Sequence, residues 1–152
     1  MLLLAVTPGV AYAHFTGRDS VDGGEIRYDD HTQWDDSRNH GIAQWNALGN
    51  VDMKPDAWNT YTDLDIQDYS EADGLCGFYS NEPGADDVNL NNHYYSGYTT
   101  KQRRACTTHE FGHAYGLDHS YADQVMDSCP VCTTVYDTPQ SHDRSDWRQL
   151  WG

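Results

Sequence analysis

The stretch HEFGHAYGLDH at residues 109–119 restricts the folding of this chain more than any other feature. His109 and His113 are four apart, so they share a face if the segment is an α-helix. Two imidazoles one turn apart can both reach one zinc ion at about 2.0–2.1 Å. Glu110 cannot easily ligate from the next position, but it can reach the attacking water and is expected to act as general base. A helix serves a third ligand poorly beyond His113, so the chain must turn. Gly116 permits the left-handed conformation that turns it. His119, six residues after His113, is then placed to come back onto the ion. Three neutral histidines leave one position open, which is the layout of a catalytic zinc site rather than a closed structural one. The bland alternative is a helix carrying ordinary surface histidines. Chance matches to H-E-x-x-H arise in about one or two per cent of chains this long, and Gly116 with His119 cuts that roughly 400-fold.

The flanking pattern supplies a scaffold. Thr99 and Gln102 form a capping box that predicts a helix over about 100–115, ended by Gly116. Residues 34–48 read as another helix, with Ile42, Trp45 and Leu48 on one face and Gly49 as its stop. Glu25–Tyr28, Val51–Met53 and Leu64–Ile66 read as short strands. Val88, Asn89, Leu90 and Asn91 alternate and suit a fourth strand, expected at an edge because of its polar face. Residues 70–86, with Gly74, Gly77, Pro83 and Gly84, are expected to be loop. Residues 117–138 show no sustained period and should be irregular. Asp143 is expected to cap a last short helix docked by Trp147, Leu150 and Trp151. The 152 residues suit a single domain, of α+β or mixed α/β class.

The chain carries 24 acidic against 9 basic residues, a formal net charge of −15. Such a surface repels phosphate backbones and disfavours nucleic acid as a partner. Aromatics at 12% argue for a folded chain rather than a disordered acidic one. Residues 1–13 resemble the end of a secretory signal, with an apolar run at Leu2–Val6 and a small-x-small cleavage pattern at Ala11-Tyr12-Ala13. The basic stretch that opens such a signal is missing, so the signal is expected to be truncated, with the true start upstream of Met1. A mature catalytic domain over 14–152, secreted, monomeric and without a membrane span, is expected. Cys76, Cys106, Cys129 and Cys132 favour two disulfides in an exported chain. Three pairings are open. Cys76–Cys106 with Cys129–Cys132 is preferred, because the latter two are close in sequence. Cys129-Pro130-Val131-Cys132 also matches a Cys-x-x-Cys metal or redox motif.

The segment 109–119 matches the metzincin pattern H-E-x-x-H-x-x-G-x-x-H, and HEFGH followed by GLDHS resembles the matrixin branch. The resemblance implies a zinc endopeptidase acting on proteins or peptides. It implies a twisted, mostly parallel sheet with an antiparallel edge strand, two long helices, a zinc cleft and a short C-terminal helix. It places Met126 beneath the zinc as the Met-turn residue, ligating nothing. It also implies an extended substrate pairing with the strand before the zinc helix, read here as Val88–Asn91. The chain departs from the pattern in several places. Ser128 stands where some relatives carry a metal-binding Tyr. Cys129–Cys132 replaces the Pro-x-Tyr wall of the specificity pocket. The His-Gly-Asp region of a second, structural zinc is missing, and no cysteine switch or further domain is recognised. Snapalysin-type peptidases use Asp where this chain has His119.

Other clusters read weakly. Asp63, Asp65, Asp68, Asp86 and Asp87 leave calcium open, but no twelve-residue binding loop appears and solvated carboxylates are favoured. His14, His31, His40, His93 and His142 lack ligand-like spacing and are expected at the surface. The five tryptophans, Trp34, Trp45, Trp58, Trp147 and Trp151, are expected in or near the core. Ser141, His142 and Asp143 are adjacent on a helix and cannot face one another as a hydrolase triad. The competing functional reading is a secreted zinc-binding module without turnover, against which the intact Glu110 argues.

Overall fold

The computed structural model describes residues 14–132 and 134–152. The signal expected over residues 1–13 lies outside the described residues. Five strands form one sheet: β1 (Glu25–Asp30), β2 (Asp52–Pro55), β3 (Leu64–Tyr69), β4 (Gly77–Ser80) and β5 (Asp86–Asn91). Their order across the sheet is β2-β1-β3-β5-β4. The β1–β2, β1–β3 and β3–β5 pairs are parallel, whereas β4 runs antiparallel to β5. The helices are α1 (Asp35–Asn46), the single turn α2 (Asn92–Tyr95), α3 (Thr100–Ala114) and α4 (Ser141–Trp151). This is the mixed α/β class expected, with the single antiparallel strand at the sheet edge.

Alternation explains the strands. Ile26, Leu64, Ile66, Val88 and Leu90 are fully buried and fill the core from three neighbouring strands, β1, β3 and β5. Their neighbours Arg27, Asp65 and Gln67 keep partial access to solvent, as period-two patterning requires. The two long helices pack on one another because Gly41 of α1 has no side chain. A Cβ there would stand 2.9 Å from the Phe111 ring and 3.4 Å from the Thr108 backbone. Trp45 then reaches across and donates its indole N–H to the Thr108 carbonyl at 2.8 Å. Trp147 of α4 stacks on Trp45 with ring centroids 5.4 Å apart and meets Tyr115 edge-on at 4.7 Å. Truncating either buried tryptophan to alanine is expected to cost about 3–5 kcal/mol.

Four expectations need correcting. Val88–Asn91 does not lie at an edge: β5 is paired on both sides, with β3 and with β4. Its polar residues do not face open solvent. The Asn91 side chain donates to the carbonyls of Glu71 and Leu75 and accepts from the Glu71 and His93 backbone N–H groups. The edge on this side of the sheet is β4, which lies inside the glycine-rich stretch read as loop. Asp143 is not the cap of α4 but sits three residues beyond the cap, Gln140, and accepts from its N–H at 2.7 Å. Trp58 is 98% exposed, outside the core altogether.

Candidate metal centre and cleft

The capping box at Thr99 and Gln102 starts α3 as read from the sequence. The helix carries His109, Glu110 and His113 on its last two turns and stops where Gly116 adopts a positive φ of +91°. That turn brings His119 back. The three imidazole rings then surround one point, with centroid separations of 4.8, 5.1 and 4.9 Å. The Nε2 atoms of His109 and His113 are 3.2 Å apart.

The other ring nitrogens fix the tautomers. His109 Nδ1 lies 2.8 Å from the Val125 carbonyl, and His113 Nδ1 lies 2.8 Å from the Leu117 carbonyl. A carbonyl only accepts, so each Nδ1 carries the proton and each Nε2 presents a lone pair inward. Burial, reinforced by the His113 and His119 rings, pushes His109 well below the ordinary histidine range. Burial lowers His113 as well. Both histidines therefore stay neutral, the form that ligates. Three convergent imidazole nitrogens fit zinc and do not fit an oxygen-seeking ion such as calcium.

Glu110 is 4% exposed, and burial without an ion pair pushes its carboxyl up to about 8. Gly77 makes room for it. A Cβ at that position would stand 3.1 Å from Glu110 Cγ and 2.8 Å from the Asn89 carbonyl oxygen. The Cys76–Cys106 disulfide ties the start of β4 to α3, one turn before His109 and Glu110. Cys129 pairs with Cys132. Both bonds follow the preferred pairing, and Cys129–Cys132 is thereby accounted for as a disulfide.

Met126 is buried, and its sulfur packs where a side chain on Gly112 would otherwise stand. Its backbone is held from two sides. Ser120 N–H donates to the Met126 carbonyl at 2.7 Å. Asp143 accepts from Val125 N–H at 2.9 Å and Met126 N–H at 3.2 Å. Val125 in turn holds His109, so Asp143 positions the His109 imidazole through two successive hydrogen bonds. The sequence reading missed this role; a buried acid placed early in α4 was its sole signal.

A cleft of about 330 Å³ opens over the histidines. One wall is Leu75–Tyr79, including β4. The opposite wall is Ser128–Cys132, with Tyr98 completing the lining. Val88, Leu90 and Asn91 lie outside this lining. Of the acidic residues weighed for calcium, Asp63, Asp68 and Asp86 accept hydrogen bonds from the protein. Asp86, for example, accepts from Ser20, Tyr79, Asn81 and the Glu82 N–H.

The matrixin family model, of peptidase family M10, matches residues 7–152. No curated protein matches the sequence. Among solved structures, myroilysin superposes with a TM-score of 0.64 at 10% identity, covering 92% of this chain and 98% of that one. At that identity the likeness speaks to the fold alone. Archaemetzincin from Archaeoglobus fulgidus, complexed with malonate, gives a TM-score of 0.48 at 13% identity over 80% of this chain and 99% of that one. High choriolytic enzyme 1, a hatching-enzyme zinc protease from the medaka fish Oryzias latipes, gives 0.44 at 14% over 62% and 44%.

Proposed function

The chain belongs to the matrixin family of zinc metallopeptidases, and from that premise we propose that it is a secreted endopeptidase in which Glu110 is the general base. The observation that carries this reading is the inward convergence of His109, His113 and His119 in a cleft that also contains the buried Glu110. His109, His113 and His119 would hold the zinc. When bound, that ion supplies Lewis acidity, which makes a water easier to deprotonate and a carbonyl easier to attack.

The chain's own groups do the rest. Glu110 takes a proton from the attacking water and returns it to the amide nitrogen as the C–N bond breaks, so one water is consumed per bond cleaved. Burial alone would keep Glu110 protonated near neutral pH, and a divalent cation beside it favours the ionised form that a base requires. A non-catalytic zinc module would have no need of a carboxyl buried at this cost.

The substrate strand is reassigned. Both edges of β5 are occupied, so Val88–Asn91 offers no free main chain. The outer edge of β4 supports docking of an extended peptide by main-chain hydrogen bonds at Phe78 and Tyr79. The opposite wall, at Pro130 and Val131, selects the neighbouring side chain. Export agrees with the two disulfides. Among the described residues no helix is long and apolar enough to cross a membrane.

The test is hydrolysis of casein and of a quenched peptide library by purified protein. Activity should vanish with a chelator and return with zinc. His113→Ala should lose the catalytic ion, read by elemental analysis. Cleavage that persists in excess chelator would refute the reading.

A further inference from the structure

A second group of metal-ligand type stands at the junction of the N-terminal segment and α4. The Nδ1 of His14 lies 3.2 Å from the Nε2 of His142. Asp146 Oδ2 lies 3.3 Å from that Nε2 and 3.6 Å from that Nδ1. These three atoms are spaced as ligands around one small cation are spaced. Bonds of about 2.0–2.1 Å in a tetrahedral shell hold neighbouring donors about 3.3 Å apart. The corresponding Nε2 separation between His109 and His113 is 3.2 Å.

Hydrogen bonding alone explains the cluster poorly. Asp146 is 2% exposed, and burying a carboxylate requires compensation. Its Oδ1 has no hydrogen-bond partner among the described residues. Meanwhile its Oδ2 is approached by the His14 N–H at 3.3 Å and by both rings. Two ring nitrogens facing each other at 3.2 Å also need a proton between them. One cation bound to both nitrogens and the carboxylate replaces the shared proton and neutralises the buried charge. Tyr121 packs against both imidazoles, with centroids 5.1 Å from His14 and 4.7 Å from His142.

The geometry points to a second metal site in this protein, formed by His14, His142 and Asp146 and suited to a divalent ion of the zinc or copper kind. Two borderline imidazole donors beside a single carboxylate favour such ions over calcium or magnesium. The site is separate from the cleft but mechanically joined to it. The His14 carbonyl accepts from the Asp118 N–H at 2.8 Å, immediately before His119. Thr16 N–H donates to the Gly116 carbonyl at 3.0 Å. An ion fastening His14 to α4 therefore steadies the turn that carries the third histidine of the catalytic set.

The experiment counts ions. Purified protein is equilibrated with excess zinc, freed of loose metal and analysed for metal per chain, alongside His142→Gln and His14→Gln. His142→Gln should hold about one ion fewer than the unchanged protein, and the zinc-dependent rise in its melting temperature should shrink. Should His142→Gln fail to fold, His14→Gln reads the same difference, because that side chain is 28% exposed and its loss leaves α4 intact. The difference is diagnostic whatever the total. If the histidines of the cleft bound nothing, the unchanged protein would hold about one ion and the variant none. Equal metal content in the unchanged protein and the folded variants would overturn the site.

Discussion

The two walls of the cleft are built on opposite principles. The β4 wall is regular backbone, laddered to β5 and stapled to α3 by Cys76–Cys106. The facing wall at 128–132 belongs to no helix or strand and is closed on itself by Cys129–Cys132. A regular edge offers the same main-chain groups to any extended peptide, whereas an irregular wall presents particular side chains. The comparison assigns general affinity to the first wall and selectivity to the second.

Removing the two disulfides should separate these roles most strongly. Cys76 and Cys106 are 30 residues apart, and Cys129 and Cys132 only 3. On loop entropy, Cys76→Ser with Cys106→Ser should cost about 4 kcal/mol and the Cys129, Cys132 pair about 2 kcal/mol. Denaturant titration checks both values. The first double variant should lose activity on all peptides together, and the second should change the ranking among them. Next in size, Gly77→Ala should cost about 1–3 kcal/mol and lower kcat/KM for every substrate, because its Cβ meets the Asn89 carbonyl and Glu110.

The third prediction concerns the carboxyl packed beneath the β4 wall. Glu110 titrates at about 8 when folded, above its unfolded value, so the folded metal-free protein binds the extra proton. Its contribution is present at low pH and is lost as pH rises through the folded value. His109 and His113 are both shifted down, so the unfolded chain still binds a little more proton at pH 7 and they add only a small slope of the opposite sign. Between pH 7 and 8 the chelated protein should lose about 1 kcal/mol of stability, and Glu110→Gln should remove that loss. A flat profile would mean that water reaches Glu110. The smallest effect is expected at Val131→Ala, with about a threefold change in preference between large and small side chains and unchanged zinc content. Equal losses on all peptides would undo the division of labour between the walls.

Legibility in the sequence followed the range of the interaction. His109, Glu110, His113 and Gly116 were readable because helix geometry and one left-handed turn operate within eight residues. The strands at Ile26, Leu64 and Val88 were readable from alternation. β4 was not, since it is four residues long, opens with glycine and owes its place to a partner strand and a disulfide. The supposed edge at Val88–Asn91 failed because Asn91 is polar for the sake of the 71–75 backbone, a partnership invisible to periodicity. His14 and His142 were read as surface residues since 128 positions separate them; the fold brings them into contact.

The central claim is that Glu110 moves the proton while the three histidines hold the metal. Glu110→Ala, purified and loaded with zinc, tests it directly by paired elemental analysis and quenched-peptide hydrolysis. The account predicts a metal content equal to that of the unchanged protein, with hydrolysis reduced by about 10²–10⁴-fold. Hydrolysis at the unchanged rate in a variant of full metal content would contradict it.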